Sequence, residues 1–506
     1  MDDEHPLHCH DSTDLPAVNI HDLPAEILCD IIAFASEYFK AHKRHITLVV
    51  ATHVCRRWRD VVISRSSLWS TIHTRFAPKG LIAEMLERSR DAPLTAFIHI
   101  FSMADKEAAA LVLHHLHRIR VLDVEASTKA YFEALIPVLD QSLPKLETLR
   151  LASTPSTGSI IVPDSFLEEK ITQRLQMLTL AGPSMFWGSK ILHGLSRLFI
   201  TFKKVDAVDW YEILDLLAQN PELEELGFTF SEGCSYRDLV ANRPKVKLLA
   251  LRHITLEMDV RLCQQLKTFI YIPNVVDCSL TFPNYPHHNP VFALPQHVVS
   301  RHCTSMKCSL GATWIHVEMN VCSFLNTHGM RLRLYLQLDR DRPFGTKKSV
   351  ALSFGILTGL TRSPFLTTTP ELDVTVGIDQ HDNDILPAWS RFLSTLPNVT
   401  ILKLSLRNLT HWTHNLSYSA ALFLKGMVVT VDPRTHTLPQ PSQFQLLVYR
   451  LDIPFTTLLD YVIQRMDDGN PLDELALRVY QAFHLHSDQL LRLKEWVGSV
   501  SMEDAE

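Results

Sequence analysis

A three-position apolar signature recurs through the chain and constrains its fold more than any other feature. After a polar or proline-bearing turn, apolar residues stand at a position p, at p+3 and at p+5. The pattern reads "RIRVLDV" from Ile119, "LPKLETLRL" from Leu146, "RLQMLTL" from Leu175, "GLSRLFI" from Leu195, "PELEELGF" from Leu223, "PKVKLLAL" from Val246 and, less fully, "QLKTFIY" from Leu266. Successive starts differ by 27, 29, 20, 28, 23 and 20 residues. The alternation of p+3 with p+5 is that of a short strand. Stretches with helical spacing, such as "KAYFEALIPVLDQS" and "AVDWYEILDLLAQN", stand between the strands. A strand, turn and helix of this size cannot close a core alone, so neighbouring units must stack. Connections of this length, each with a helical stretch, cannot make hairpins but suit crossovers between parallel strands. The expected class is α/β, with residues 116–506 forming a solenoid of parallel strands.

Apolar residues make up 46% of the 506-residue chain, so a three-position match also arises by chance, and a conventional α/β domain with a few parallel strands gives the same local pattern. Length alone allows about two to four domains or one elongated array. Between Val275 and Pro370 the sequence turns to plain alternation, as in "MRLRLYLQLD", "SVALSFGIL" and "PELDVTVGI", where the array is expected to flatten or break. Helix-then-strand units return at Val399 and Leu472, and "DPRTHTLPQPSQF" reads as an exposed loop.

The front of the chain follows another rule. In "DLPAEILCDIIAFASEYF", Pro24 suits a first helical turn and Glu26 favours the helix dipole. Ile27, Leu28, Ile31, Ile32 and Ala35 then recur at helical spacing. The polar "KAHKRH" interrupts, and "ITLVVATHVCRRWRDVVI" resumes with Leu48, Ala51, Val54, Cys55, Trp58, Val61 and Val62, as two short helices or one bent one. Arg56, Arg57 and Arg59 flank Trp58 as a solvated face, and "SSLWSTI" adds Leu68 and Trp69 as a further anchor.

"LPAEIL", "VCRRWRDVV" and "LWSTI", in this order over residues 20–72, resemble the F-box, and the Leu-Trp ending is similar to the F-box-like proteins abundant in mushroom-forming fungi. The stretch between the Leu-Pro start and Trp58 is longer than in the compact form of that motif. The resemblance implies a small helical module that docks on a Skp-family adaptor, and through it on a cullin-RING ubiquitin ligase. Carried over by position, it assigns Leu23, Pro24, Ile27, Leu28 and Ile31 to the adaptor contact, with Val54 and Trp58 fixing the second part against the first helix. A module this small buries little surface of its own, which leaves apolar positions for a partner; an ordinary helical bundle burying the same residues is the alternative. The repeat period is similar to that of leucine-rich repeats, in an irregular form that mostly lacks the asparagine expected after the strand.

The organisation expected is a tail at residues 1–19, the helical module at 20–72, a helical linker or cap at 73–115, and a substrate-recognition domain at 116–506. Net charge of −6 argues against a general nucleic-acid binder. No run approaches the roughly 20 apolar residues of a membrane span, and "MDDEHPLHCHDSTDLP" lacks the features of a secretory signal. Nine dispersed cysteines fit a reducing compartment, cytoplasmic or nuclear, in which the sequons at Asn398, Asn408 and Asn415 stay unmodified. His287 and His288, with His302, Cys303 and Cys308, make the densest group of metal-ligating types, without the paired spacing zinc asks for. G-x-S-x-G, G-x-x-x-x-G-K-[ST] and G-x-G-x-x-G are all missing from the sequence. No catalytic, cofactor or metal residue is assigned, nor a target-contact residue, although Trp187, Trp210, Trp314, Trp389 and Trp412 are of the type that anchors partners. The expected function is substrate recognition in a cullin-RING ligase, without bond chemistry. The alternatives are an adaptor-bound scaffold that recruits no ligase, and an enzyme or metal protein with dispersed site residues.

Overall fold

The computed structural model describes residues 20, 23–38, 44–140, 143–153, 160–163, 166, 174–185, 187–202, 209–230, 243–285, 302–310, 314–323, 326–338, 357–358, 369–378, 385–408, 443–449, 455–467, 471–480 and 487–504. The chain divides into two compact units, Met1–Ile191 and Leu192–Glu506.

The first unit opens with three helices, α1 (Ala25–Tyr38), α2 (Arg44–Val54) and α3 (Arg56–Ser64), and a 3-10 turn at Ser66–Trp69. Strand and helix then alternate: β1 (Thr71–His73), α4 (Lys79–Ser89), β2 (Leu94–Ile100), α5 (Met103–Leu113), β3 (Ile119–Ala126), α6 (Lys129–Leu139) and β4 (Thr148–Ser153). The short strands β5 (Ile160–Val162) and β7 (Pro183–Met185) pair with each other, on either side of β6 (Met177–Ala181) in the chain. Strands β1, β2, β3, β4 and β6 are successive parallel neighbours. The p+3 and p+5 residues explain why they form: Leu122 and Val124, Leu149 and Leu151, and Leu178 and Leu180 are all buried on one face. Leu146 and Leu175, at position p, are buried in the turn ahead of their strands.

Hydroxyls start two of the crossover helices, α5 and α6. Ser102 Oγ accepts the Asp105 N–H at 3.3 Å ahead of α5, and Thr128 Oγ1 accepts the Tyr131 N–H at 3.2 Å ahead of α6. Residues 73–115, expected as a helical linker or cap, hold α4, β2 and α5, and β2 lies within the sheet, between β1 and β3. The physical reason is period-2 burial: Leu94, Ala96, Ile98 and Ile100 all face the core.

In the second unit, β8 (Arg197–Phe202), α7 (Trp210–Ala218), β9 (Glu225–Phe230), β10 (Val246–Lys247), β11 (His253–Glu257), α8 (Val260–Phe269), β12 (Ile270–Tyr271) and β13 (Asp277–Tyr285) continue the alternation. Here β8, β9, β11 and β13 are parallel neighbours, and β10 pairs apart with β12. The strand expected from Val246 is therefore displaced: the sheet strand is β11, whose p, p+3 and p+5 residues are the buried Leu251, Ile254 and Leu256. Both registers satisfy the pattern, but the Val246 register would put Leu249 inside, and Leu249 is exposed. Leu266 likewise lies in α8, and the sheet strand that follows takes its buried residues from Val275, Cys278 and Leu280.

The region of plain alternation supplies β14 (His302–Leu310), β15 (Trp314–Ser323), β16 (Asn326–Leu338) and β17 (Glu371–Ile378). Their order is not sequential. β13 pairs with β16 in parallel, β16 with β15 and β15 with β14 antiparallel, and β14 with β17 in parallel. "SVALSFGIL" lies almost wholly outside the described residues, as does the loop "DPRTHTLPQPSQF". Beyond β17, α9 (Ile385–Leu393), β18 (Ile401–Asn408), β19 (Gln443–Tyr449), α10 (Phe455–Asp467), β20 (Leu472–Tyr480), α11 (Ser487–Trp496) and β21 (Val497–Asp504) follow. Strands β17 to β21 are successive parallel neighbours. The protein is thus a helical N-terminal region followed by an α/β region of mostly parallel strands.

Candidate functional site

Large apolar side chains stand exposed on the front module. Its three helices pack on one another along a buried seam formed by Leu28, Cys29 and Ile32 of α1, Leu48 and Ala51 of α2, and Val62 of α3. Pro24 immediately precedes α1, and its carbonyl accepts the Leu28 N–H at 3.0 Å, so the Leu-Pro pair starts the helix. The Arg57 guanidinium donates to the Leu23 carbonyl, which ties α3 to that start. Burial pushes the Cys29 thiol above its ordinary range, with Asp30 and Glu26 adding to the rise and Arg65 opposing it.

Trp69 closes the module. Its ring is wholly buried, its Nε1–H donates to the Val62 carbonyl at 2.8 Å, and the Arg88 guanidinium lies 4.5 Å from the ring centroid. The chain leaves Trp69 directly into β1.

The outer faces of α1 and α2 are also apolar. Ile27, Ile31 and Phe34, spaced i, i+4 and i+7, are between 41% and 71% exposed. Ile46, Val50 and Val54, spaced i, i+4 and i+8, are between 50% and 57% exposed. Each is a line of large side chains on one helix face, and exposed apolar patches of this kind mark interaction surfaces.

The residues assigned from the sequence separate accordingly. Ile27, Ile31 and Val54 lie on the exposed lines, Pro24 is exposed, and Leu23 and Trp58 are half-buried. Leu28 is fully buried in the seam and belongs to the module's own core. Val54 stands exposed at the end of α2, and the residue of α3 buried in the seam is Val62. Phe34, Ile46 and Val50 escape the sequence assignment. The available signal was width: α1 is apolar at 27, 28, 31 and 32, too broad a stripe for a single contact.

Among the other residues singled out, Trp210 and Trp389 are buried and Trp187 is half-buried. His287, His288 and Trp412 lie outside the described residues, while His302, Cys303 and Cys308 stand on β14. Among the described residues, no group of three or more His, Cys, Asp or Glu side chains is arranged to hold a metal ion, and no helix is long and apolar enough to cross a membrane.

Comparison with known families finds that the F-box-like family model matches residues 20–75. The matched segment comprises α1, α2, α3, the Trp69 turn and β1, and so includes both exposed apolar lines. Comparison with curated proteins finds no match.

Proposed function

We propose that the chain is a substrate-recognition subunit of a cullin-RING ubiquitin ligase. In this reading the front module docks on a Skp-family adaptor, and the α/β region, an irregular leucine-rich-repeat array, holds a target protein. The protein itself makes and breaks no bonds. Tethering the target near the ubiquitin donor raises their effective concentration, which is the whole of its contribution. It works in the cytoplasm or nucleus, where the adaptor and the ligase act.

The observation that carries the reading is the pair of exposed apolar lines, Ile27, Ile31 and Phe34 on α1 and Ile46, Val50 and Val54 on α2, inside the segment that matches the F-box-like family. A helical face of this kind is what a partner groove recognises through i, i+4 and i+7 anchors. The repeat reading is supported by the recurring buried p, p+3 and p+5 residues and by their regular alternation with helices.

The double variant Ile27→Asp, Ile31→Asp tests the docking. Both side chains are exposed in the isolated chain, so the variant keeps its circular dichroism and melting temperature. Burying two carboxylates against an apolar partner surface is prohibitive. Co-purification of the adaptor and cullin with the full chain is lost. Undiminished recovery of both with a folded double variant would remove the assignment.

A further inference from the structure

The sheet of the first unit buries one face and leaves the other partly open. Along β2, Leu94, Ala96, Ile98 and Ile100 are buried, while Thr95, Phe97 and His99 between them are half-buried, as is Phe101 just past the strand. At the β1–β2 corner of this second face, aromatic and basic side chains meet. His73 stacks on Phe97, its register partner, with ring centroids 4.1 Å apart and planes 5° from parallel. Phe76, 40% exposed, has its ring centroid 6.4 Å from that of His73, and His99 stands edge-on to Phe101, also at 6.4 Å. The exposed Arg75 joins the two groups: its guanidinium carbon lies 4.6 Å from the centre of the Phe101 ring and 5.7 Å from that of Phe76.

Rings, and not a carboxylate, hold Arg75 in place. The acidic residues of the adjoining segments are engaged elsewhere. Asp123 and Glu125 of β3 lie 2.7 Å and 3.7 Å from Arg150, and Asp105 accepts the Phe101 N–H at 3.1 Å and the Ser102 hydroxyl at 2.8 Å. Among the described residues, no carboxylate pairs with Arg75. Attraction to an aromatic ring uses the charge of a guanidinium and leaves its planar fork of N–H donors for an oxyanion. A fork already positioned loses less freedom when it binds one.

We propose that this corner receives an acidic side chain of the target protein, its carboxylate on Arg75 and an apolar neighbour on Phe76. The inference rests on reading the chain as a target receptor, and it names a contact within that role. Charge complementarity selects the acid, because the cluster brings together His73, Arg75 and His99 without a carboxylate, and a carboxylate arriving at Arg75 gains charge-assisted hydrogen bonds. Arginine beside exposed aromatic surface is also the composition of interface hot spots. The corner is an open face, which suits a protein surface; a small ligand needs enclosure of most of its own area. A nucleic acid laid across the face would bring its phosphates to Asp123 and Glu125, which stand beside Phe97 and His99 in the register.

A phage-displayed library of random peptides, selected on the immobilised full chain, tests the proposal. The recovered peptides share an Asp or Glu beside a large apolar residue. Replacing that carboxylate by its amide weakens a synthesised peptide about tenfold, read by fluorescence anisotropy. Arg75→Gln weakens the acidic peptide by about the same factor and leaves the amide form unchanged, whereas Arg75→Lys recovers only part of the loss, since lysine lacks the planar fork. Both variants keep the melting temperature, because the side chain is exposed. The proposal fails if no peptide binds saturably, if the bound peptides share no acidic residue, if Arg75→Gln binds the acidic peptide as tightly as the parent chain does, or if oligouridylate binds more tightly than the peptide. Adaptor co-purification is followed on the same variants and is unchanged by Arg75→Gln. If the adaptor never co-purifies while acidic peptides still depend on Arg75, the ligase reading fails and the binding site stands.

Discussion

Trp58 and Trp69 make different demands on the front module, although both stand in apolar stretches of the same short segment. Trp69 is wholly enclosed and satisfies its indole N–H on the Val62 carbonyl, whereas Trp58 is half-buried on α3. Trp69→Ala therefore removes a large core side chain and a buried hydrogen-bond donor. Its cost is about 3–5 kcal/mol, read as a fall in the chemical-denaturation midpoint of the full chain. Trp58→Ala costs roughly half as much, because only part of its surface leaves water on folding. Equal losses would show that the two rings share the core. The sequence singles out both residues, and helical spacing even favours Trp58 as the member of an apolar face. What it does not show is that Trp69 lies beyond the helix, in a turn where the chain folds back on Val62. That return is a tertiary contact, and no local period records it. Leu28 and Ile27 illustrate the same limit: adjacent apolar residues on one helix, one enclosed and one exposed, with the difference set by where α2 and α3 pack.

At the scale of the element, the helix-to-strand connection after α7 turns on a single side chain. Asn220 is fully buried; its Nδ2 donates to the carbonyls of Leu192 and Leu216, and its Oδ1 accepts the Leu195 N–H, each at 2.8 Å. One carboxamide thus satisfies the end of α7 and the turn that leads into β8, two adjoining βα segments of the second unit. Asn220→Ala leaves those groups without partners and costs about 3 kcal/mol. Asn220→Asp is worse than alanine despite its closer shape, because a carboxylate cannot donate to two carbonyls and must be buried besides. Melting temperatures that rank asparagine above alanine above aspartate bear this out; aspartate at or above alanine would contradict it. The element pattern was legible where the turn, p, p+3 and p+5 all agreed, as at Leu146, Leu175, Leu195 and Leu223. It slipped at Val246 because "VKLLALRHITLE" offers two overlapping registers, and only burial of Leu251 in place of Leu249 decides between them. The repeat pattern predicts an asparagine after the strand. Asn220, which bonds adjoining segments, instead precedes the next strand, in "QNPELEEL".

At the scale of the whole molecule, the strand order around β15 determines what any truncation exposes. β13, β16, β14 and β17 run in the same direction, with β15 reversed between β16 and β14. Sequential reasoning expects each strand beside its predecessor, and here, as at β5 and β10, that rule fails: β13 is joined by β16, which comes last of the three inserted strands. Alternation in "MRLRLYLQLD" identified the strand but carries no information about its neighbours, since pairing across such distances is fixed by the sheet and not by local spacing. The order makes an unusual prediction for shortened chains. A chain of residues 1–285 ends on β13 and exposes one sheet edge. A longer chain, 1–323, adds β14 and β15, but neither pairs with β13, and the strands that hold them, β16 and β17, are gone. The added hairpin then presents Ile315, Val317 and Met319, buried in the intact protein, with no sheet to pack against. With an apolar hairpin that no neighbouring strand covers, the longer product is the worse one. It binds more of a hydrophobic dye and sediments as larger species than 1–285, and a chain extended through β16, to residue 338, recovers part of the loss because β16 reattaches the hairpin to β13. A steady improvement from 285 to 323 to 338 would mean that β14 finds β13 directly, and that the order described here is not the one the chain adopts.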